Sequence, residues 1–222
     1  MKTAVITGAN RGIGLELARQ LTDRGYRVIA VCRKASPDLQ SLDVQVEEGI
    51  DITDRDSLRE LADRLAGRRI DLLVNNAGVL VPSTLERIEE DIDSWRLQYE
   101  VNALGPLRVT HALINHLVNG GKVVIISSRV GSIADNGSGG AWGYRLSKAA
   151  ANMAGMNLAH ELADREIAVG LLHPGFVRTD MTGSRGDVEP AEAAAGLVER
   201  IDELSMETTG SFRHANGEEL PW

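Results

Sequence analysis

Only one cysteine, Cys32, occurs among the 222 residues, so the chain cannot close a disulfide on itself, and a reducing cytoplasmic setting is expected. No signal-peptide core precedes the first β-branched run, because Met1-Lys-Thr-Ala-Val-Ile-Thr-Gly8 leads straight into it. Long apolar runs are also missing: stretches such as Val123 to Ile126 have the length of a sheet strand, far below the roughly 20 residues that span a bilayer. Basic residues are in the minority, 24 against 32 acidic ones, and the net charge of -8 argues against a broad nucleic-acid or anionic-membrane surface. Metal-ligand spacing is absent as well. His111, His116, His160, His173 and His214 are dispersed with no HExxH among them, and no metal site is expected. With no internal repeat and no low-complexity linker, the reading is one domain over residues 1–222.

What is present is an alternation of short β-branched runs with amphipathic stretches, which predicts a doubly wound α/β fold of Rossmann type with helices on both faces of a mostly parallel sheet. Ala4-Val-Ile6 is the first strand. It ends in Thr7-Gly-Ala-Asn-Arg-Gly-Ile-Gly14, and a helix with Leu17, Ala18 and Leu21 on one side follows. Glycines at 8, 12 and 14 let backbone approach a pyrophosphate, whose charge the new helix N-terminus favours. Arg27 to Arg33 is the second strand, and its end is where such a fold meets the adenosine ribose. Cys32, Arg33 and Lys34 stand there instead of an acidic residue. With Arg11 in the glycine turn, these cations predict NADP(H) over NAD(H), since guanidinium suits a 2′-phosphate.

Val44 to Ile50 is the third strand. Asp51 follows it, either at an adenine edge or preparing a helix start with Thr53 as N-cap. Ile70 to Gly78 is a fourth strand running into Asn75-Asn76 and small residues. From about Asp91 to Val118 a long helix is expected, interrupted near Gly105-Pro106 and carrying Asn102, which inside a helix either faces solvent or has a specific partner. Gly121 to Ser128 is the fifth strand, with hydroxyls at the carboxyl end where open α/β sheets place ligands. A glycine-rich loop follows, from Gly131 to Gly143. Ile167 to His173 is the sixth strand, before Pro174-Gly-Phe-Val-Arg-Thr-Asp180; Glu189 to Leu204 is the last helix, and a possible edge strand lies in Gly210 to Trp222.

Tyr144-Arg-Leu-Ser-Lys148 carries the chemistry. A tyrosine and a lysine four apart share one helix face, so the ammonium is placed to lower the phenol's pKa from about 10 toward neutrality. The small residues after it, Ala149, Ala150, Ala151, Ala154 and Gly155, permit close helix approach, within the chain or between subunits.

Taken together, Thr7-Gly-x-x-x-Gly-Ile-Gly14, Asn75-Asn-Ala-Gly78, Asn102, Ser128, Tyr144-x-x-x-Lys148 and Pro174-Gly175 resemble, in order, the motifs of the short-chain dehydrogenase/reductase family. The glycine turn and the ending Gly217-Glu-Glu-Leu-Pro-Trp222 look most like its C-factor and sniffer branch of carbonyl-reductase-like members. The resemblance implies a seven-stranded sheet and NAD(P)(H)-linked reduction of a small carbonyl compound or oxidation of an alcohol, in a homodimer or homotetramer. It also implies roles. Tyr144 would be the acid/base, Ser128 would orient the carbonyl oxygen, Lys148 would hold the nicotinamide ribose and depress the Tyr144 pKa, and Asn102 would hold a relay water. Gly8, Asn10, Gly12, Ile13 and Gly14 would contact the dinucleotide, with Asp51 and Ile52 at adenine and Asn76, Ala77 and Gly78 beside its ribose. Pro174, Gly175, Val177 and Thr179 would border the nicotinamide. The gap between Ser128 and Tyr144 is longer than in many relatives, and Ser127 is a second available hydroxyl. The alternatives are an NAD-linked alcohol dehydrogenase and a dinucleotide-binding signalling protein of C-factor type.

Overall fold

Along each strand, apolar residues divide between two faces. In β1 (Thr3–Thr7), Ala4 and Ile6 join one apolar cluster and Val5 the other. In β4 (Ile70–Asn75), Leu72 and Val74 part in the same way from Leu73. A strand that is apolar on both sides has to be covered on both, and the crossover helices do so. A computed structural model describes all 222 residues and shows β1, β2 (Arg27–Cys32), β3 (Gln45–Glu48), β4, β5 (Leu117–Ile126), β6 (Ala168–His173) and β7 (Ser211–His214) in one sheet. The strand order is β3-β2-β1-β4-β5-β6-β7, and every adjacent pair is parallel.

Helices α1 (Gly12–Asp23) and α7 (Pro190–Glu203) cover one face through Leu17, Leu21, Leu197 and Val198. Helices α3 (Arg55–Arg64), α5 (Gly105–Ala112) and α6 (Trp142–Glu161) cover the other, with Leu58, Leu61, Val109 and Ala159. Burying a leucine as fully as Leu17 or Leu61 stabilises the fold by about 2 kcal/mol. The small residues of α6 serve the chain's own core: a Cβ on Gly155 would lie 2.6 Å from the side chain of Leu171.

Some boundaries differ from those read in the sequence. The long helix is α4 (Ile88–Tyr99), a π-helical turn over Glu100–Leu104, then α5. It ends at Ala112 rather than near Val118, because Leu117 already pairs with Ile70 in the sheet. Pro106 sits within the first turn of α5, where its missing N–H is tolerated, so the widening falls before Gly105-Pro106 and not at it. A short helix, α2 (Pro37–Gln40), was not expected; Ser36 caps it by accepting from the Leu39 amide at 3.1 Å. The N-cap of α3 is Asp54, accepting from the amides of Asp56 and Ser57, and not Thr53. No helix is long and apolar enough to cross a membrane.

Candidate active site

The strand order reverses direction beside β1, and the carboxyl ends of β1, β4, β5 and β6 gather there, the position where open α/β sheets bind ligands. Gly8 has φ +66°, and a Cβ there would lie 2.8 Å from Ala77 Cα, so glycine is what lets the ends of β1 and β4 touch. Helix α1 begins with no side-chain cap and no acidic residue in its first turn, leaving its N-terminal amides to an anion. The Asn76 side chain donates to the carbonyls of Thr7 (3.0 Å) and Gly8 (3.2 Å), while Thr7 Oγ1 accepts from the amides of Asn76 and Ala77. This cradle fits a dinucleotide pyrophosphate. Thr7 was missed in the sequence because its role depends on a strand about 70 residues away.

At the adenosine end, Arg33 and Lys34 are exposed beyond β2. Asp51 Oδ1 accepts from the amide and hydroxyl of Thr53, and these bonds, with Arg33 nearby, hold its carboxyl below the usual range. Ile52 is buried and meets Gly105. Glu48 is an acidic group that the sequence reading passed over. It pairs in register with Cys32, and its carboxylate accepts from the Ala35 amide at 3.2 Å. Arg11 is drawn elsewhere, into an ion pair of 2.7 Å with Asp180.

Asn102 has a specific partner rather than solvent. Its side chain accepts from the Val79 amide and donates to the Val79 carbonyl, both at 2.8 Å, and also donates to Ser147 Oγ at 2.9 Å. One turn earlier, fully buried Gln98 does the same for Val81, at 3.0 and 3.3 Å. Two amides four residues apart thus act as a strand edge for the loop that follows β4 and hold Gly78 in place. Gln98 was not among the expected residues. The side chain of Asn102 is fully engaged, but its carbonyl receives no α-helical bond, because Pro106 has no N–H to give.

Of the two serines after β5, Ser127 is committed: its hydroxyl donates to Asn152 Oδ1 at 2.5 Å in the core. The Ser128 hydroxyl accepts from the Val130 amide at 3.4 Å, and its nearness to Tyr144 pulls the phenol's pKa down. Burial outweighs that influence and pushes Tyr144 up to about 12, so the expected lowering by Lys148 does not appear. The physical reason lies in Lys148 itself. Its Nζ donates to the Ile126 carbonyl at 2.8 Å and lies 5.7 Å from the Tyr144 ring centroid, and burial lowers its pKa to about 8. Gly131 seats the serine turn on α6, since a Cβ there would be 2.7 Å from the Lys148 carbonyl carbon.

Beyond β6, Gly175 (φ +95°) turns the chain and Val177 is buried. Thr179 closes over Gly12, where a Cβ would meet its methyl at 3.3 Å. His173 stacks edge-on against His214 at 4.8 Å, and burial, then His214, Arg129 and Lys148, hold its pKa far down, at about 3. The structure thus gathers the glycine turn, Asn76 to Gly78, Ser128, Tyr144, Lys148, Pro174 and Thr179 at one edge, with Asn102 behind them. No group of His, Cys, Asp and Glu is arranged to hold a metal.

Residues 2–190 match the short chain dehydrogenase family. The 1-hydroxy-2-glutathionyl-2-methyl-3-butene dehydrogenase of Rhodococcus sp. (strain AD45) is 44% identical over the whole of both chains. The C-signal protein of Myxococcus xanthus is 39% identical over 74% of this chain and 100% of its own. The NADPH-bound carbonyl reductase from chicken fatty liver superposes with a TM-score of 0.89 at 29% identity, covering 100% of this chain and 99% of that one.

Proposed function

The chain belongs to the short-chain dehydrogenase family, whose members are NAD(P)-dependent oxidoreductases of carbonyl and alcohol groups, and from that premise we propose that it is an NADPH-preferring carbonyl reductase. The observation that carries this reading is the closeness of Tyr144 and Lys148 on α6, the Lys148 ammonium 5.7 Å from the ring centroid, at the sheet edge where α1 opens uncapped; burial raises the phenol's pKa, so it holds its proton in the neutral range and is set to give it to a carbonyl oxygen. A bound nicotinamide dinucleotide supplies the hydride. The protein's task is then to place the oxygen and manage one proton. Ser128 Oγ and the Tyr144 hydroxyl grip the oxygen from two sides, and the phenol donates as negative charge develops. Lys148 holds ribose hydroxyls with its ammonium, and the Asn102 carbonyl, which Pro106 leaves without an α-helical donor, holds the water from which the proton is restored.

NADPH oxidation against a panel of aldehydes, ketones and quinones, with Tyr144→Phe as the control, tests the reading. Turnover retained in the control, or none in the parent, would sink it. The 44% identical relative, by its name a dehydrogenase, favours a second reading in the oxidative direction with NAD. Glu48 beside the second strand's end supports it, because a carboxylate there accepts from ribose hydroxyls and repels a 2′-phosphate.

The two readings separate by substitution. Arg33→Asp is expected to weaken NADPH by about tenfold or more and NADH little, since a charge-assisted bond contributes about 1.5–3 kcal/mol. Glu48→Gln is expected to tighten NADPH. Equal loss of both cofactors in Arg33→Asp would remove the 2′-phosphate role.

Lys148 gives a pH signature. Its pKa is lowered to about 8, so its charge is full below that value and is lost as pH rises through it. NADPH affinity, followed by fluorescence titration, is therefore expected to be level from about pH 7, where the 2′-phosphate is fully ionised, to about pH 8 and to fall above it. Lys148→Arg keeps its charge and flattens the profile; an unchanged slope in that variant would assign the titration elsewhere.

A further inference from the structure

The loop that follows Ser128 is held from two sides. From the 3-10 turn Arg129–Gly131 it runs through exposed residues to Ala141, a non-glycine residue at φ +43°. Its inner side rests on α6 through Gly131 and through Arg145, which donates to the carbonyls of Val130 (3.2 Å) and Gly139 (3.0 Å) and to Ser138 Oγ (2.8 Å). Its outer side is held by the segment Glu218–Trp222. The Trp222 carbonyl accepts twice, from the Ala134 amide at 2.8 Å and from Ser132 Oγ at 3.0 Å. Arg129, next to Ser128, pairs with Glu218 at 2.5 Å and with Asp135 at 3.2 Å, tying the loop's base to its far side and to the tail.

The tail is itself anchored to the sheet. Leu220 is buried against Leu171 and Phe212, and its amide donates to the Phe212 carbonyl at 2.8 Å; the Trp222 ring stacks on Phe212 at 5.4 Å. An uninterrupted chain of contacts thus runs from edge strand β7, through Leu220 and Trp222, to the residues immediately after Ser128.

We infer that Glu218–Trp222 is a positioning clamp that fixes the Ser128 hydroxyl beside Tyr144. The inference rests on the reading above, in which Ser128 orients the carbonyl oxygen. The clamp touches neither reacting group and acts through the loop alone. A segment with only a packing role would be tied to the sheet alone; this one also gives the Trp222 carbonyl and the Glu218 carboxylate to the active-site loop.

A double-mutant cycle tests it, using the full chain, a variant ending at Gly217, Ser128→Ala, and the combination. Removing the clamp is expected to lower kcat by about tenfold to a hundredfold in the Ser128 background, the scale of a misplaced reacting group, and to leave NADPH affinity unchanged. In the Ser128→Ala background the same removal is expected to cost nothing further, because there is no hydroxyl left to position. Hydrogen exchange at the Ala134 amide should be slow in the parent and fast without the clamp. Where the shorter chain fails to bind NADPH, a chain ending at Pro221 and carrying Glu218→Gln takes its place, since it removes the Trp222 carbonyl and the Glu218 ion pair and leaves Leu220 buried. An equal fall in both backgrounds, or no fall in either, overturns the clamp. A Ser128→Ala variant with parental kcat overturns the role of Ser128 itself, and so separates failure of that reading from failure of this one.

Discussion

Replacing Tyr144 with phenylalanine is expected to lower kcat by about 10²–10⁴-fold, the range that a positioned general acid supplies, while the NADPH dissociation constant stays where it was. The substitution removes one oxygen and leaves the ring, so the packing of α6 against β6 is kept. Substrate KM should rise a few-fold at most, because one neutral hydrogen bond contributes about 1 kcal/mol to binding. The direction of the Tyr144 shift sharpens the expectation. A phenol raised to about 12 is already protonated at neutral pH, so carbonyl reduction by the parent enzyme needs no prior proton uptake. Alcohol oxidation requires the opposite form, and its rate should climb with pH toward that value. Ser128→Ala removes the hydroxyl that lowers the pKa, and should carry the oxidative rise to still higher pH. Steady-state kinetics in both directions checks all three points. A Tyr144→Phe enzyme with parental kcat would transfer the proton role to another group.

The parts of this site that the sequence makes legible are those fixed by short spacing. Tyr144 and Lys148 share a helix face because four residues make about one turn, and Gly8, Gly12 and Gly14 sit in a turn between a strand and a helix that neighbour each other in the chain. The less legible parts depend on which strands lie side by side. Glu48 reaches the cofactor end of β2 only because Cys32 and Glu48 are partners in register, and Gln98 is recognisable only once Val81 is seen beside it. Ser128 is chosen over Ser127 in the sequence only through its place three before Gly131; the physical difference between them, the bond of Ser127 to Asn152, comes with the fold. The direction of the Tyr144 shift was misread for a related reason: spacing shows how near the lysine is, whereas burial, which here prevails over charge, is a property of the whole fold. The tail's grip on the loop after β5 is the extreme case, linking Ser132 to Trp222 across 90 residues.

Gly14→Ala should be the most damaging single methyl in the chain for cofactor binding. Its Cβ would lie 2.3 Å from the Gly8 carbonyl oxygen, 2.5 Å from Asn76 Nδ2 and 3.0 Å from Ala9 Cα. Two of these neighbours are backbone, and the third is the amide that ties β1 to β4, so nothing nearby yields cheaply. Overpacking of this kind costs about 1–3 kcal/mol, and alanine's better helix propensity returns only about 1 kcal/mol of it. The larger consequence is local. Displacing Gly8 and Asn76 shifts the turn that opens α1, which the proposed site sets against the pyrophosphate, and NADPH affinity should fall by about a hundredfold or more, two charge-assisted bonds' worth. Gly25→Ala is the matched control. Gly25 has φ +82° with nothing within 4 Å of its would-be Cβ, so alanine there meets backbone strain but no clash, at a turn between α1 and β2. That strain costs about 1–2 kcal/mol, similar to the net loss at Gly14. The two variants should therefore melt at similar temperatures below the parent, and only Gly14→Ala should lose NADPH. Similar NADPH affinity in both would mean that the dinucleotide does not lie against this turn, and the Rossmann cradle would have to be sought elsewhere along the carboxyl edge of the sheet.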